Sequence, residues 1–326
     1  MIALAGSGWC LGDPVPLDRL PEWDGLADGE RAACSALGIE SVAVAESAGA
    51  TDLAAVAARR ALDAAGRSAA DVDVVITVEA RAPETLVSSD ATRLQAALGA
   101  RRATAFSVGG LGCASLTPAL LTAAGLLRGP DVRTVLVAHG SKPATSRRYR
   151  HPVTVNGDSG GALVLTASGG TRIRDVLLET NGDYADLFRV HYRDRPYDQW
   201  REECADPTAY SFRLAVETRN RLRDLTARLL ARNGLTPADV TTYVAQNLSL
   251  PSHRNYAEVL RTPLAPSCAR NLARYGHLGP NDTFHNLHTG DVPPGGRVVL
   301  LDTSPTAAWS AVLVETGVGA DGTHLL

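Results

Sequence analysis

Short apolar runs alternate along the chain with longer stretches in which apolar positions recur at helical spacing. The runs are about four to seven residues long and indicate buried strands, whereas the helical stretches span about ten to twenty residues. This alternation predicts α/β layers whose central strands are mostly parallel. The longest helix is predicted at residues 210–233, with an apolar face formed by Phe212, Val216, Leu222, Leu225 and Leu229.

The two halves of the chain carry a repeated pattern. Residues 61–78 and 229–246, which begin 168 positions apart, each indicate a helix ended by glycine, a short acidic turn and an apolar strand. A second pair of strands, at residues 133–140 and 297–304, follows in the same order. Any helix, turn and strand look alike, but the similar spacing in both halves favours a duplication.

The duplication predicts two α/β halves, residues 1–168 and 169–326, with a site at the junction where they face each other. The second half carries an addition. Residues 180–207 are loop-like and rich in Asp, Arg, Tyr and Pro, which is typical of an inserted cap or interface segment.

Composition places the chain among ordinary globular proteins. Its 326 residues are 45% hydrophobic and 21% charged with a formal net charge of -3, which excludes disordered and collagen-like classes and the basic footprint of a nucleic-acid binder. No apolar run approaches the roughly 20 residues that span a bilayer, and residues 1–13 lack the basic start of a secretory signal. We therefore expect neither a nucleic-acid partner nor a membrane.

The five cysteines are odd in number and scattered, without a C-x-x-C pair, and the histidines lack the spacing of metal ligands. This usage predicts a cytoplasmic protein with free thiols and no metal site. The cysteines without a distinctive context are Cys10, Cys34, Cys204 and Cys268.

Cys113 stands in a context suited to a nucleophile. Gly109, Gly110 and Gly112 precede it, and the apolar residues 116–127 predict a buried helix that begins just after it. The glycines let a ligand approach the backbone, while the helix N-terminus favours a thiolate and can hold a developing oxyanion. The alternative is a small buried core cysteine.

Four segments together resemble one enzyme family: Cys113 with its glycines, residues 156–162 (NGDSGGA), 235–240 (LTPADV) and 275–279 (YGHLG). They are similar to the β-ketoacyl-acyl-carrier-protein synthase III branch of the thiolase superfamily, over essentially the whole chain. The resemblance implies a thiolase fold with duplicated αβαβα layers, a homodimer and no bound cofactor. It also implies that Cys113 is acylated by a thioester of coenzyme A (CoA) or of the phosphopantetheine arm of an acyl carrier protein.

The chain departs from the condensing members of that family at two positions. Those members carry a histidine after the second-half strand and an asparagine in a later Gly-Asn turn, and both side chains donate hydrogen bonds to the enolate formed by decarboxylation. Here Gln246 and Asn247 occupy the first position and His277 the second. Because an amide donates hydrogen bonds but does not act as a base at neutral pH, decarboxylative condensation is disfavoured.

His277 and Asp282 supply a different chemistry. An imidazole can take a proton from an attacking hydroxyl or amine, and a Gly-Pro turn brings Asp282 close enough to orient the ring. With Cys113 they resemble the nucleophile, base and orienter of the acyltransferase offshoot found in actinobacterial natural-product pathways. The alternatives are a structural histidine and a turn-forming aspartate. The other histidines that compete for the role of base are His191, His253, His285 and His288.

Several neighbours are predicted to bind the substrate. Gln246 or Asn247 would hold the acyl carbonyl or the acceptor, while Gly112 and the backbone N–H of Thr306 would contribute to the oxyanion site. A compact basic cluster would receive the phosphates of CoA or an acidic carrier protein, although a solvated loop face explains it equally well. The members of this cluster are Lys142, Arg147, Arg148, Arg150 and His151, and the three arginines are the predicted binding residues.

Together these features predict an acyltransferase of the EC 2.3.1 class. It would move an acyl group through acyl-Cys113 to a hydroxyl, an amine or a carrier protein in polyketide or antibiotic biosynthesis. Three alternatives stay open at this point. One is a condensing enzyme that uses Gln246 and His277 as enolate donors, another is a non-catalytic partner subunit, and the third is a thiolase or thioesterase.

Overall fold

The computed structural model describes residues 2–79, 81–318 and 324–325. The strands are β1 (Ile2–Leu11), β2 (Asp13–Pro16), β3 (Ser41–Val44), β4 (Val74–Val78), β5 (Thr104–Val108), β6 (Val135–Ser141), β7 (Tyr149–Arg150), β8 (Thr154–Val155), β9 (Ser159–Thr166), β10 (Thr171–Thr180), β11 (Phe188–Val190), β12 (Glu202–Cys204), β13 (Thr242–Ala245), β14 (Arg297–Ser304), β15 (Ala308–Glu315), β16 (Gly317–Val318) and β17 (His324–Leu325). The α-helices are α1 (Asp28–Ser35), α2 (Ala50–Ala64), α3 (Asp90–Leu98), α4 (Leu116–Leu126), α5 (Ala215–Arg232), α6 (Leu250–Leu260), α7 (Pro266–Tyr275) and α8 (Asp282–His288).

Nine strands of the described chain share one sheet in the order β13-β14-β15-β10-β1-β9-β6-β4-β5. In the first half β4 is parallel to β6, while β6 and β1 are antiparallel to β9. The second half repeats this scheme, because β13 is parallel to β14, and β14 and β10 are antiparallel to β15. The two halves meet where β1 pairs with β10.

The prediction of mostly parallel central strands is wrong. The strands at the centre of the sheet, β15, β10, β1 and β9, are all antiparallel to their neighbours, and the parallel pairs lie towards the edges. A continuous apolar run indicates that both faces of a strand are buried. Burial on both faces is usual for parallel sheets, but in this protein antiparallel strands are also buried on both faces. The pattern therefore identified burial correctly and strand direction incorrectly.

The repeated sequence segments fold in the same way. Each runs from the end of a helix through a 3-10 turn into a strand that pairs in parallel with the next strand. Asp71 accepts hydrogen bonds from the Ser68 backbone N–H and hydroxyl, both at 2.8 Å. Asp239 accepts the same two bonds from Thr236 at 2.8 and 2.7 Å. The boundary at residue 168 lies in the connection between β9 and β10 and stays a prediction.

The two halves of the sheet, joined at the β1–β10 pair, form two of five layers in the order helix, sheet, helix, sheet and helix. A central core joins Leu120 of α4 and Leu287 of α8 to strands of both halves. One outer core packs α2 against β6 and β9, and the other packs α5 against β14 and β15. The predicted αβαβα layers are thus present, and α4 and α8 form the middle one.

The helix predicted at residues 210–233 is present, but its apolar face was misplaced at one end. It begins as a π-helical turn, Ala209–Leu214, and continues as α5. Leu222, Leu225 and Leu229 are fully buried, whereas Phe212 and Val216 are 68% and 60% exposed. Val216 lies six positions before Leu222, an offset that at about 100° per residue turns Val216 away from the buried face. None of the helices in the described part of the chain has the length and hydrophobicity of a transmembrane segment.

Candidate active site

Cys113 lies in a tight turn that leads from β5 into the central helix α4. The turn is a single 3-10 unit, Gly112–Ala114, and Gly112 has a left-handed φ of +53°. A β-carbon on Gly112 would lie 2.6 Å from the Ser304 hydroxyl oxygen, so a glycine is required both by the backbone and by space. The thiol is buried, and it lies immediately before α4, where the first N–H groups of a helix lack intrahelical acceptors as a rule. Their partial positive charge favours a thiolate or an oxyanion.

His277 is held in place by its backbone, in a short parallel bridge with residues 155–157. Its N–H donates to the Val155 carbonyl at 2.9 Å, and its carbonyl accepts from the Gly157 N–H at 3.0 Å. Gly276, with φ +67°, makes this approach possible, because a β-carbon there would lie 2.7 Å from the Val155 oxygen. The 156–162 motif therefore positions the imidazole rather than binding a ligand directly at this bridge.

Cys113, His277 and Asp282 form one buried chain of contacts. The Cys113 Sγ atom lies 3.0 Å from His277 Nε2, and His277 Nδ1 lies 2.5 Å from the Oδ2 atom of Asp282. Asp282 also accepts hydrogen bonds at 2.8 Å from the backbone N–H groups of Asn247 and Leu278. Since Nδ1–H donates to the carboxylate, Nε2 faces the sulfur and exchanges a proton with it. The structure thus brings together the three residues predicted as nucleophile, base and orienter.

The charges of this chain favour an imidazolium–thiolate pair. Burial alone would raise the pKa of the Cys113 thiol, but the charge and hydrogen bond of His277, aided by Arg81 and Arg150, lower that pKa to about 7. Burial likewise opposes protonation of His277, yet the Cys113 thiolate and the Asp282 carboxylate raise its pKa to about 9. Near neutral pH the proton therefore resides mainly on the imidazole, and the sulfur is prepared for nucleophilic attack.

The other predicted binding residues have different surroundings. All polar atoms of the Gln246 amide are bonded to Thr303: Nε2 donates to its carbonyl and hydroxyl at 2.7 and 2.8 Å, and Oε1 accepts from its N–H at 2.9 Å. Asn247 accepts from Asn286 at 2.8 Å, and its Nδ2 has no partner among the described residues. The Thr306 N–H donates to the Ser304 hydroxyl at 3.2 Å, so it is already engaged.

A cavity of about 470 Å³ lies between the predicted insertion and the loop that contains the basic cluster. The insertion contributes the hairpin of β11 and β12, from which Glu202 pairs with the buried Arg150. Arg147 and Arg150 line the cavity. Arg148 instead donates to both oxygens of the buried Asp158 at 2.7 and 2.9 Å, which leaves its charge neutralised. Arg81, which sequence patterns did not single out, also lines the cavity and acts electrostatically on Cys113.

The competing histidines lie in other environments. His253 donates to the Gln246 carbonyl at 2.9 Å, and His285 packs edge-on against Trp9 with a ring separation of 5.3 Å. His288 lies 3.3 Å from the Ser7 hydroxyl, and His191 is exposed on the insertion near Glu203. Within the described ranges no three His, Cys, Asp or Glu side chains are grouped as metal ligands.

Comparisons with known proteins found both similar sequences and similar structures. No family model matches the chain. The chain is 30% identical over 283 residues to the β-ketoacyl-[acyl-carrier-protein] synthase III of Gloeobacter violaceus, a match that covers 82% of this chain and 84% of that protein.

Two solved structures share its architecture. The 3-oxoacyl-[acyl-carrier-protein] synthase III of Aquifex aeolicus superimposes with a TM-score of 0.81 at 20% identity and covers 97% of this chain and 100% of its own. ChlB3, named as an acyltransferase, superimposes with a TM-score of 0.84 at 22% identity over 99% of both chains. At these identities the likeness shows the fold, and that fold is the thiolase fold predicted from the sequence.

Proposed function

Because the chain belongs to the β-ketoacyl-[acyl-carrier-protein] synthase III family, we propose that it is an acyltransferase that works through an acyl-Cys113 intermediate and a His277–Asp282 base. The observation that carries this proposal is the 3.0 Å contact between Cys113 Sγ and His277 Nε2, in a ring whose other nitrogen is held by Asp282. The donor would be an acyl thioester of CoA or of an acyl carrier protein. The acceptor would be a hydroxyl, an amine or a second carrier thiol in natural-product biosynthesis.

The first step transfers the acyl group to the enzyme. The Cys113 thiolate attacks the thioester carbonyl, and the N–H groups at the start of α4 stabilise the tetrahedral oxyanion. The carbon–sulfur bond to the pantetheine then breaks, and its thiolate takes the proton from the His277 imidazolium. The products are acyl-Cys113, a free pantetheine thiol and a neutral imidazole.

The second step discharges the acyl group. Acylation removes the thiolate charge that helps to raise the pKa of His277, so the neutral imidazole now acts as a base towards the acceptor. Its Nε2 takes the proton of the acceptor hydroxyl or amine as that atom attacks the acyl carbon. The carbon–sulfur bond to Cys113 breaks, and the imidazolium–thiolate pair is restored.

A decarboxylative condensing enzyme is the second candidate, because the curated relative is named a β-ketoacyl synthase. That reaction needs donors aimed at an enolate beside the acyl group. Of the two amides at the first such position, Gln246 already donates to Thr303, which argues against it as an enolate donor. The Asn247 Nδ2 atom has no partner among the described residues, but its side-chain oxygen is held by Asn286. His277 would have to serve as an enolate donor while also contacting the sulfur.

Intact-protein mass spectrometry separates these candidates. The protein is mixed with a panel of acyl-CoA thioesters that includes malonyl-CoA, with the Cys113→Ala variant alongside. We expect an adduct that requires Cys113 and that keeps a malonyl group whole. Conversion of a malonyl adduct to acetyl would favour the condensing enzyme, and full acyl-transfer activity in Cys113→Ala would overturn the scheme.

A further inference from the structure

Three buried polar atoms without partners converge beside the active site. They belong to Arg81, His139 and Ser141, and they face the α-carbon of Gly279, which carries no side chain. A β-carbon placed on Gly279 would lie 3.1 Å from Ser141 Oγ and 3.5 Å from both Arg81 Nη2 and His139 Nε2. None of these three atoms has a hydrogen-bond partner among the described residues. We refer to this group of four residues as the Gly279 recess.

The recess is rigid on both sides. His139 and Ser141 lie at the end of β6 and are 2% and 0% exposed. The other terminal nitrogen of Arg81, Nη1, donates to the side-chain oxygen of Asn156, which fixes the plane of the guanidinium. Unpartnered buried polar atoms cost free energy in a native structure, and rigid ones facing a common point are typical of a ligand site.

The charge of the recess is positive. The Arg81 side chain donates to a neutral amide, so this hydrogen bond does not neutralise the charge of the guanidinium. His139 remains a neutral acceptor, because its Nδ1–H donates to the Val78 carbonyl at 2.9 Å and burial lowers its pKa to about 4. An arginine and a hydroxyl therefore offer donors to an anion, while His139 Nε2 can accept from a water that bridges to it.

The position of the recess ties it to the reacting sulfur. Gly279 begins the turn Gly279–Asn281, which packs against the Gly112–Ala114 turn that carries Cys113. Arg81 also lines the 470 Å³ cavity, and its charge acts on the Cys113 thiol. The recess therefore adjoins the turn that carries the sulfur and includes a cation that the sulfur senses.

On these grounds we propose that the Gly279 recess binds the distal carboxylate of the transferred acyl group, with Arg81 as the residue that sets this specificity and Ser141 as the second donor. The inference rests on the proposed function, since it concerns the acyl group carried by Cys113. It names the donor class: a thioester of a short dicarboxylic acid, with one carboxyl group joined to the thiol and the other free.

The test compares acyl donors that differ in the free carboxylate. Succinyl-CoA is paired with butyryl-CoA, and malonyl-CoA with propionyl-CoA, and the rate of acyl-Cys113 formation is followed by intact-protein mass spectrometry. We expect the wild-type protein to prefer the carboxylate member of each pair. In Arg81→Gln the preference should fall about 10- to 100-fold, because a charge-assisted hydrogen bond is lost. Any slowing that acts through the pKa of Cys113 affects both members of a pair equally and leaves their ratio unchanged.

Three variants complete the test. Arg81→Lys should keep part of the preference and Ser141→Ala should lower it, and both report on the recess if Arg81→Gln does not fold. Arg128→Gln is the matched control, because this exposed arginine follows the far end of α4. It should leave both rates unchanged.

Several outcomes would overturn the inference. They are equal losses for both members of a pair in Arg81→Gln, a wild-type protein with no preference, and a succinamyl thioester that reacts as fast as the succinyl one. If butyryl-CoA acylates Cys113 without any carboxylate preference, only this inference fails. If no donor acylates Cys113, the proposed function fails and takes this inference with it.

Discussion

Two buried side chains that the sequence placed in corresponding catalytic positions have opposite roles in the structure. Gln246 follows β13 and His277 follows α7, and both are fully buried in the second half. All polar atoms of the Gln246 amide are hydrogen-bonded to Thr303. In His277, by contrast, Nδ1 contacts Asp282 and Nε2 contacts the Cys113 sulfur. A buried polar residue is therefore available for chemistry only when one of its polar atoms has no hydrogen-bond partner in the surrounding structure that occupies it permanently.

Removal of the His277 imidazole is expected to have the largest effect on the rate of acyl transfer. In His277→Ala, discharge of acyl-Cys113 to an acceptor should slow by about 10²- to 10⁴-fold, because the acceptor loses its base. Labelling of Cys113 by an acyl-CoA should persist at a lower rate. The measurement is the decay of the isolated acyl-enzyme in the presence of acceptor. The control is His191→Ala, an exposed histidine on the insertion, and discharge at the wild-type rate in His277→Ala would assign the base elsewhere.

The pH dependence of Cys113 alkylation should show a smaller effect. Thiolate forms as the pH rises through the pKa of about 7, so the rate of alkylation by iodoacetamide should rise with a midpoint near that value. Asp282→Asn weakens the imidazolium that stabilises the thiolate. Its midpoint should therefore move to higher pH, towards the ordinary range of cysteine, and alkylation at pH 7 should slow about tenfold. An unshifted midpoint would show that Asp282 does not act through the ring.

The smallest effect on the rate of acylation is expected for substitution of Gln246. Gln246→Leu leaves the buried N–H and carbonyl of Thr303 without partners, so the free energy of unfolding should fall by about 2 kcal/mol. Acylation of Cys113 should change by less than about threefold, because no atom of Gln246 is free to bind substrate. Denaturant unfolding and the acylation assay measure the two quantities. A large loss of acylation in a stably folded variant would show that Gln246 contributes to the reaction of Cys113.

The parts of the candidate site could be predicted from local signals, whereas the contact between Cys113 and His277, 164 positions apart, was predicted from the family resemblance. Glycines mark the turn before Cys113, and His277 and Asp282 lie five positions apart across one turn, so their contact needs little knowledge of the fold. The layered architecture was predictable for a related reason, since each buried helix and strand carries its own apolar pattern.

The remaining features depend on distant partners. Arg81 is oriented by Asn156, 75 positions away, and no periodicity marks such a contact. Arg148 was predicted, with Arg150, to bind the phosphates of CoA or an acidic carrier protein. In the structure its charge is paired with the buried Asp158. Strand direction likewise follows from how the connections run rather than from the apolar runs themselves.

The central layer makes the two halves complementary rather than equivalent. Cys113 precedes α4, Asp282 begins α8, and these helices occupy matching places in the two halves, each before the strand, β6 or β14, that enters the repeated pairing scheme. Two identical halves would present either two thiols or two imidazoles at this junction. Because the two turns differ in sequence, a thiol from one half instead meets an imidazole from the other at 3.0 Å.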